Sequence, residues 1–463
     1  MRRRCLWRMI FAIGACQMAM LICACGARPN APAADRVDGE TARVPSRPAT
    51  PLNFILILAD DLGYGDLGCY GQRHIATPRL DQMAAQGMRF TDCYAGAPVC
   101  APSRCALLTG KHTGHAQIRG NAHIRRVPLA AREVTIAEVL RNAGFATAAI
   151  GKWGLGGPGT EGVPMRQGFD SFYGFLTHAE ARRAYPEAIW RDERLEPLTV
   201  DTHGQASFAD DLFTEEALEF IERNATGPFF LYLAYTAPHF DGGGEVVVPD
   251  LGAYADRDWT DAVKARAARI TRLDRDVGRI LDRVDALGIA DRTLVLFSSD
   301  NGPRVGDDFF QSAGPFRGAK SSLYEGSLRV PMIVRWKGTI AAGGVSDYAW
   351  AHWDVLPTFA ALAGVASPQG IDGISIAAVM KGDAPPAHPP LYWETHELQF
   401  EQAARMGRWK GIRRGLRGRI RLFDLAADPG ESVNVAAQHR DEVRAMRAFL
   451  DAARVNSPDW PVE

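Results

Sequence analysis

The sequence predicts an α/β fold. A large, mostly parallel sheet is sandwiched by helices, and a smaller C-terminal subdomain combines an antiparallel sheet with a helix. Two observations predict the main sheet: short apolar runs that suit buried strands recur along the chain, and helix-like segments alternate with them. A third observation predicts the subdomain. After the proline-rich residues 385–390, the composition changes to short β-like pieces that are dense in arginine.

Each strand prediction depends on a continuous apolar run. The first run, residues 53–59, is short and β-branched enough to be a buried parallel strand, and it ends abruptly at Asp60 and Asp61. Further strands are predicted over residues 146–150, 229–235, 293–297 and 330–336. Helices are predicted over residues 77–87, with Thr77 as the cap and Pro78 at the first position, over the amphipathic residues 261–287, and over residues 441–453.

The overall charge limits the classes of ligand. With 53 basic and 54 acidic residues the formal net charge is −1, which argues against a nucleic-acid partner. Four of the basic residues lie in the first 25 positions, which contain no acid, so the rest of the chain has 49 basic against 54 acidic residues, about −5. An anionic substrate therefore needs a local positive site, because the field of the whole chain does not attract it.

The N-terminus is typical of an export signal. Residues 2–4 are arginines, and the apolar residues 9–24 that follow are too few for a membrane span of roughly 20 residues. The end of this run resembles a bacterial lipoprotein signal with Cys25 as the lipidated residue; an ordinary cleaved signal peptide is the alternative. Residues 26–51 are rich in proline and alanine, which predicts a disordered tether. We therefore expect a periplasmic protein, or a lipoprotein anchored to the outer membrane through Cys25.

Polar side chains follow the predicted strands at the point where each strand ends. Asp60 and Asp61 follow the first strand, Asp300 and Asn301 follow the fourth, and His239 follows the third. Ligands of such sheets bind at the carboxyl ends of the strands. Three carboxylates and an amide are hard oxygen donors, which favours Ca²⁺ or Mg²⁺ over Zn²⁺.

The segment from Cys100 to Gly110 carries the most specific signal. It contains Cys-Ala-Pro-Ser-Arg followed by Leu-Leu-Thr-Gly, and it resembles the signature of the sulfatase family at every fixed position. Other segments agree with the same family in order: Asp60-Asp61 with Gly-Tyr-Gly, Gly151-Lys152-Trp153, Pro238-His239, Asp300-Asn301-Gly302 and Lys320 with Tyr324-Glu325-Gly326. The resemblance covers roughly residues 52–440. It implies a catalytic domain over residues 52–384 and a C-terminal subdomain over residues 385–463.

The resemblance implies a hydrolase of sulfate monoesters, with a small-molecule or oligosaccharide substrate. In this family the signature cysteine, here Cys100, is oxidised to formylglycine, and a formylglycine-generating or anaerobic sulfatase-maturating enzyme is the implied partner. One hydroxyl of the hydrated aldehyde attacks sulfur, and deprotonation of the other then expels sulfate by C–O cleavage. The implied ligands of one Ca²⁺ ion are Asp60, Asp61, Cys100, Asp300 and Asn301.

The same resemblance implies roles for four more residues. Arg104, one turn along a helix that starts near Pro102, holds the diol and balances nearby carboxylates. Lys152 and Lys320 bind sulfate oxygens and supply the local positive charge. His239 lies near the leaving oxygen and is a candidate general acid together with Lys320.

One position departs from the family pattern. Many members carry a histidine where this chain has Gly154, so either another base serves the elimination step or a different histidine fills the space. His112, His115 and His178 are the candidates, and each is equally compatible with a role outside catalysis. His352 is expected to be structural.

The remaining cysteines and arginines are interpreted without a catalytic role. Cys105 is expected to be a packed side chain, while a disulfide between Cys69 and Cys93 is left open because sequence separation alone does not decide it. The arginines of the C-terminal subdomain either contact substrate or, as we favour, form a solvated or ion-paired face. The rim of the site is expected from residues 112–126, residues 160–192 and the subdomain.

Two other functions compete with this prediction. A phosphate or phosphonate ester hydrolase of the broader alkaline-phosphatase-like superfamily usually has two metals with several histidine ligands, and the sequence does not assemble such a set. A non-catalytic lipoprotein that binds sulfated glycans is the second alternative. The intact Cys100, Arg104, Lys152 and Lys320 argue against a degenerate site.

Overall fold

The computed structural model of the protein describes residues 52–121, 127–200, 206–304 and 309–462. The predicted signal, the tether and Cys25 therefore lie outside the described residues. None of the helices within these four ranges is both long and apolar enough to span a lipid bilayer.

The described residues form sixteen strands and nine α-helices. The strands are β1 (Asn53–Ala59), β2 (Met88–Phe90), β3 (Cys93–Tyr94), β4 (Ala146–Lys152), β5 (Ser171–Phe175), β6 (Ala188–Arg191), β7 (Arg194–Pro197), β8 (Phe229–Ala234), β9 (Thr293–Ser299), β10 (Met332–Arg335), β11 (Gly344–Ser346), β12 (Trp350–Ala351), β13 (Leu391–Thr395), β14 (Glu401–Met406), β15 (Trp409–Arg414) and β16 (Arg421–Asp424). The helices are α1 (Pro78–Gln86), α2 (Cys100–Thr109), α3 (Ile136–Asn142), α4 (Ala209–Asn224), α5 (Asp261–Ala286), α6 (Glu325–Leu328), α7 (Val355–Leu362), α8 (Ala377–Met380) and α9 (Arg440–Ala452).

Ten strands form the large sheet, in the order β11-β2-β10-β9-β1-β8-β4-β5-β6-β7. The five central strands β9, β1, β8, β4 and β5 run parallel to one another. The strand predicted over residues 330–336 is β10, which pairs antiparallel with both β9 and β2. The prediction of a large, mostly parallel sheet is therefore confirmed, and all five predicted strands belong to it.

Helices cover both faces of this sheet. Side chains of β1 alternate between the faces: Phe54 and Leu56 belong to one buried cluster, and Ile55 and Ile57 to the other. The first cluster includes side chains of α2, α3 and α7, and the second includes side chains of α1, α4 and α5. Both faces of β1 are apolar because each packs on a helical layer, which explains the uninterrupted hydrophobic run in its sequence.

The C-terminal strands β13 to β16 form a separate antiparallel sheet, and α9 packs against β14 and β15. This confirms the predicted antiparallel sheet with a helix; the boundary at residue 385 stays a prediction. Several subdomain arginines form ion pairs, which favours the ion-paired interpretation: Arg405 with Asp92, Arg408 with Asp424, Arg413 with Asp451 and Arg421 with Glu401.

The cysteines of the described residues are all free. Cys69 and Cys93, whose pairing the sequence left open, do not form a disulfide. Cys69 lies in a short 3-10 helix, Gly68–Tyr70, where its backbone N–H donates to Asp81, and Cys93 is buried in β3. Cys105 is buried in α2, as expected for a packed side chain.

Candidate active site

The carboxyl ends of four adjacent strands supply the candidate site. β1 and β9 pair in parallel as far as Ala59 beside Ser299, so Asp60-Asp61 and Asp300-Asn301 leave the sheet side by side. Lys152 is the last residue of β4, and His239 follows β8. The parallel pairing thus brings together residues that are far apart in the sequence.

The polar ends of these strands meet around Cys100. Ligand atoms of Asp60, Asp61, Cys100 and Asp300 all lie within 4.8 Å of one another, and all four residues are buried. Asn301 Nδ2 donates to Asp61 Oδ1 over 2.7 Å. Asp61 Oδ2 and Asn301 Oδ1 are buried without a hydrogen-bond partner. Unpartnered oxygens of this kind in a cluster of carboxylates fit a hard cation such as Ca²⁺.

The three carboxylates are electrostatically coupled. Burial alone would raise the pKa of Asp60, but the charges of Lys152, His239 and Arg104 hold it well below its usual range. Burial and the charge of Asp60 raise the pKa of Asp300 to about 6. The carboxylates therefore repel one another in a buried space, and a divalent cation among them would relieve that repulsion.

Cys100 is the first residue of α2, two residues before the predicted start of that helix at Pro102. Its Sγ lies 3.7 Å from Asp60 Oδ1. Burial raises the pKa of the Cys100 thiol to about 12, although Lys152 and Lys320 oppose the effect. The unmodified side chain is therefore a protonated thiol at neutral pH and a poor nucleophile.

Arg104 lies one turn further along α2 and is completely buried. Its Nε and Nη2 donate to Asp300 Oδ2 over 3.0 and 2.8 Å, and its Nη1 donates to the Lys152 carbonyl over 2.7 Å. The guanidinium thus fixes Asp300 and the end of β4 relative to α2. Its position suits the predicted balancing of carboxylate charge.

Two lysines contact the cluster. Lys152 Nζ lies 2.5 Å from Asp60 Oδ2. Lys320 Nζ lies 2.5 Å from Asp61 Oδ1 and 3.2 Å from Cys100 Sγ. Both ammonium groups are therefore next to the atoms that an incoming anion must approach.

His239 presents one ring nitrogen to the cluster. Its Nδ1 lies 2.6 Å from the Phe240 carbonyl, which requires Nδ1 to carry a proton and to donate. Its Nε2 lies 3.7 Å from Asp61 Oδ2. Burial lowers the pKa of His239, although Asp60 and Asp61 oppose this shift.

The three candidate histidines occupy different environments. His178 lies against Gly154: a Cβ added to Gly154 would be 3.0 Å from His178 Cε1. His178 Nε2 is buried without a partner, and burial together with the charges of Lys152 and Arg104 lowers the pKa of the ring well below its usual range. His112 and His115 instead pair with Asp372, at 3.5 and 2.8 Å. Of the three, His178 is the one that lies against Gly154, the position where many family members carry a histidine.

His352 has the structural environment that the sequence predicted. It is buried, and its Nε2 lies 3.0 Å from Ser298 Oγ in β9. It therefore supports the sheet next to the site.

Two cavities border the cluster. A cavity of about 840 Å³ is lined mostly by residues 311–322, which include Lys320. Arg304 and, from the subdomain, Leu398 also line it. A smaller one of about 250 Å³ is lined by Asp61, His239, Phe240, Glu245 and Arg304, among others.

The two cavities include part of the predicted rim. The subdomain contributes, but no described residue of 112–126 or 160–192 lines either cavity. The two segments still supply residues next to the site: His178 lies against Gly154, Asn121 Oδ1 accepts from Ala101 N over 2.9 Å, and Arg182 approaches the ring of Phe240, which lines the smaller cavity. The lining by residues 311–322 was missed because it forms only when the Lys320 loop folds over the strand ends; the nearby Lys320 motif was the available signal.

Comparisons with known proteins point to one family. The sulfatase family model matches residues 52–365, and the model described as N-sulphoglucosamine sulphohydrolase, C-terminal, matches residues 318–459. The chain is 33% identical to N-acetylgalactosamine-6-sulfatase of Sus scrofa over 425 residues, covering 85% of this chain and 78% of the relative. It is 31% identical to arylsulfatase A of Homo sapiens over 476 residues, covering 89% of this chain and 90% of the relative.

A solved structure extends the similarity to three dimensions. The structure of Ps i-CgsB in complex with k-i-k-neocarrahexaose superposes with a TM-score of 0.76 at 29% identity, covering 89% of this chain and 95% of that one. The sulfatase family model spans more than half of the chain, and relatives above 30% identity cover most of it. The chain therefore belongs to the sulfatase family and is a sulfuric ester hydrolase.

Proposed function

We propose that the protein hydrolyses sulfate monoesters of carbohydrates with a formylglycine derived from Cys100 and one Ca²⁺ ion. The observation that carries the proposal is the position of Cys100 Sγ, 3.2 Å from Lys320 Nζ and 3.7 Å from Asp60 Oδ1. A nucleophile at this atom is next to a cation-binding cluster and to a group that binds anions.

Asp60, Asp61, Asp300 and Asn301 would hold the Ca²⁺ ion beside position 100. Their oxygen donors suit a hard cation, and the unpartnered Asp61 Oδ2 and Asn301 Oδ1 are available as ligands. When bound, the cation supplies positive charge that polarises the sulfo oxygens and the nucleophile. Arg104 holds Asp300 in place for this purpose.

Conversion of Cys100 by a formylglycine-generating or anaerobic sulfatase-maturating enzyme is part of the proposal. The hydrated aldehyde supplies a hydroxyl nucleophile and a second hydroxyl, whose deprotonation releases sulfate without another attack on sulfur. The buried, protonated thiol of Cys100 supports the need for this change. The N-terminus of α2 adds a favourable dipole for an anion at this position.

The chain's other residues bind and orient the sulfo group. Lys152 and Lys320 would supply ammonium groups to it, and each is held in place by a carboxylate at 2.5 Å. His239 Nε2 is on the Asp61 side of the cluster, where it and the Lys320 ammonium are the candidates to hydrogen-bond and protonate the leaving oxygen.

The relatives support carbohydrate substrates. One is named for N-acetylgalactosamine, and the solved structure holds k-i-k-neocarrahexaose. Cavities of about 840 and 250 Å³ beside the cluster leave room for an oligosaccharide. Export through residues 1–25 and tethering at Cys25 belong to the proposal as well. A Cys25→Ala variant should be released from the membrane fraction if Cys25 is the lipidated residue.

The competing functions have less support. The cluster around Cys100 contains no histidine among its grouped ligand residues, and the other group within the described ranges, formed by His112, His115 and Asp372, is separate from it. A two-metal phosphatase site with several histidine ligands therefore has no counterpart here. The presence of every residue of the signature argues against a binding protein without activity.

The test is co-expression with a formylglycine-generating enzyme, followed by mass analysis of the Cys100 peptide and assays on matched sulfate and phosphate esters. We expect a loss of about 18 Da at Cys100, since an aldehyde replaces the thiol, and release of sulfate in preference to phosphate. Cys100→Ala should lose hydrolysis. Cys105→Ala, in the same buried helix, is the matched control and should keep it. Full activity of Cys100→Ala, or faster hydrolysis of the phosphate esters, would contradict the proposal.

A further inference from the structure

Arg304 forms part of a stack that begins in the active site. Its guanidinium carbon lies 3.9 Å from the centre of the Phe240 ring. The ring of His239 stacks on Phe240 at 4.3 Å with an interplanar angle of 18°. Two groups so close to one ring centre occupy opposite faces, so the order of the stack is His239, Phe240, Arg304.

A second guanidinium approaches the same ring. The guanidinium carbon of Arg182 lies 5.7 Å from the centre of Phe240. Among the described residues, neither Arg182 nor Arg304 has a carboxylate within ion-pair distance, and the one hydrogen bond of the Arg304 side chain is a 3.5 Å contact with the Gly244 carbonyl. Two like charges near one ring repel each other, and an anion between or beside them would be stabilised.

Arg304 lies between the two cavities beside the cluster. It lines the cavity that contains Lys320 and also the cavity that contains Asp61 and His239. Arg317 lines the larger cavity too, but it donates to the Glu431 carbonyl over 3.0 Å and stacks on Tyr324, which gives it a structural role. Among the described residues, Asp61 and Glu245 are the acidic side chains that line the smaller cavity.

We propose that Arg304, supported by Arg182, forms a second anion-binding position, which binds a sulfate or carboxylate group on the sugar next to the one that is desulfated. The inference rests on the proposed function and narrows its substrate class to oligosaccharides with at least two negative groups. A guanidinium that lies over an aromatic ring can keep its N–H groups available for bidentate contact with such a group. It also supplies local positive charge that the chain, with a net charge of −1, lacks overall.

The test uses the formylglycine-containing enzyme and three disaccharides that carry the same reactive sulfate. The neighbouring sugar is neutral in the first, sulfated in the second and carboxylated in the third. The measured quantity is the ratio of kcat/KM for each anionic disaccharide to that for the neutral one. We expect a ratio of about 10 to 100 for the wild type, from one charge-assisted contact, and a fall toward 1 in Arg304→Ala, mainly through KM.

Three further variants make the result specific. Arg304→Lys should restore part of the ratio, because it keeps the charge but loses the planar fork. Arg182→Ala should lower the ratio less than Arg304→Ala does. Glu245→Gln is the control that removes a charge of opposite sign from the same cavity, and it should not lower the ratio. The two anionic disaccharides show whether sulfate or carboxylate is the group that is recognised.

A binding measurement separates this inference from the proposed function. Calorimetric titration of Cys100→Ala with the anionic and neutral disaccharides needs no catalysis, and the double variant Cys100→Ala/Arg304→Ala should lose the preference for the anionic ones. Equal binding of all three disaccharides to Cys100→Ala, or an unchanged ratio in Arg304→Ala, would overturn the second site even if sulfate hydrolysis is observed. Absence of hydrolysis with the anionic preference intact would count against the proposed chemistry alone.

Discussion

Lys320 Nζ lies 3.2 Å from Cys100 Sγ, although 220 residues separate the two in the sequence. Backbone hydrogen bonds hold them together: Ser321 N donates to the Pro98 carbonyl over 2.9 Å, and Lys320 N donates to the Pro303 carbonyl over 2.8 Å. The loop that carries the lysine is therefore fixed to the segment just before the signature cysteine. The backbone at Lys320 is thereby anchored beside the site, within reach of Cys100.

We expect Lys320→Met to lower kcat by about 100- to 1,000-fold, because it removes a cation placed where negative charge develops. Steady-state kinetics with a sulfated sugar measure the effect. Lys337→Met is the control, since Lys337 is exposed beyond β10 and lines a different cavity. Equal losses in the two variants would contradict a role of Lys320 in the reaction.

His239→Gln should affect substrates according to their leaving groups. A group that assists the departing oxygen matters most when that oxygen is a poor leaving group. We expect kcat to fall at least about 100-fold with a sugar sulfate and clearly less with a nitrophenyl sulfate. A series of aryl sulfates with leaving groups of different pKa gives the measurement. If kcat falls by the same factor for every leaving group in the series, His239 contributes to substrate binding only.

Removal of Ca²⁺ should destabilise the protein. A ligand at 100 times its Kd stabilises the folded state by about 2.7 kcal/mol, so chelation should lower the unfolding temperature. Asn301→Ala should reduce that response, because it removes the unpartnered Oδ1 and the hydrogen bond to Asp61. Asp372→Asn, in the separate cluster with His115, is the control and should respond to chelation as the wild type does. Metal analysis of both variants completes the test.

His178→Ala should reduce kcat by more than about tenfold, since its Nε2 is buried without a partner and its ring lies against Gly154, beside the end of β4 that carries Lys152. His112→Ala is the matched control, because His112 is also buried but pairs with Asp372. The measurement is kcat in both variants together with their unfolding temperatures. A loss of stability in both with no difference in kcat would assign His178 a packing role.

Gly154→Ala should disturb the packing between position 154 and the ring of His178. The added Cβ would lie 3.0 Å from His178 Cε1, and Gly154 has a φ of 80°, where a side chain costs about 1 kcal/mol. We expect a lower unfolding temperature and a lower kcat. Gly144→Ala separates the two effects, because Gly144 has a φ of 87° but nothing within 4 Å of an added Cβ. It should lose stability and keep kcat.

Glu394 should make stability depend on acid pH. Burial alone would raise its pKa, but hydrogen bonding with His396 and the charges of Arg119 and Arg454 lower the pKa of Glu394 to about 2, from 4.5. A lowered folded-state pKa stabilises the protein above pH 4.5 and loses that contribution as the pH falls toward 2. Glu394→Gln should therefore lower the free energy of unfolding by about 3 kcal/mol at pH 7 and flatten its decline in acid.

Urea denaturation at several pH values between 7 and 3 checks this prediction. Glu193→Gln is the control, because Glu193 pairs with Arg166 on the surface, where both side chains are more than 40% exposed. Glu193→Gln should change the free energy of unfolding by no more than about 0.5 kcal/mol. If the free energy of unfolding of Glu394→Gln falls as steeply in acid as that of the wild type, other carboxylates cause the fall.

The sequence by itself determined the sheet, the family and the residues of the central cluster. Buried strands such as β1 require apolar side chains on both faces, and this leaves a continuous hydrophobic run that is visible in one dimension. The Cys100 signature and the strand-end pairs Asp60-Asp61 and Asp300-Asn301 are local patterns of the same kind.

Tertiary structure alone decided how distant segments meet. Sequence left three histidines as equal candidates, and the fold put His178 against Gly154 while it paired His112 with Asp372. It also kept Cys69 and Cys93 apart as free thiols and stacked Arg304 on Phe240. These relationships depend on loop paths between strand ends, and loop paths are set by long-range packing and backbone hydrogen bonds that leave no periodic pattern in the sequence.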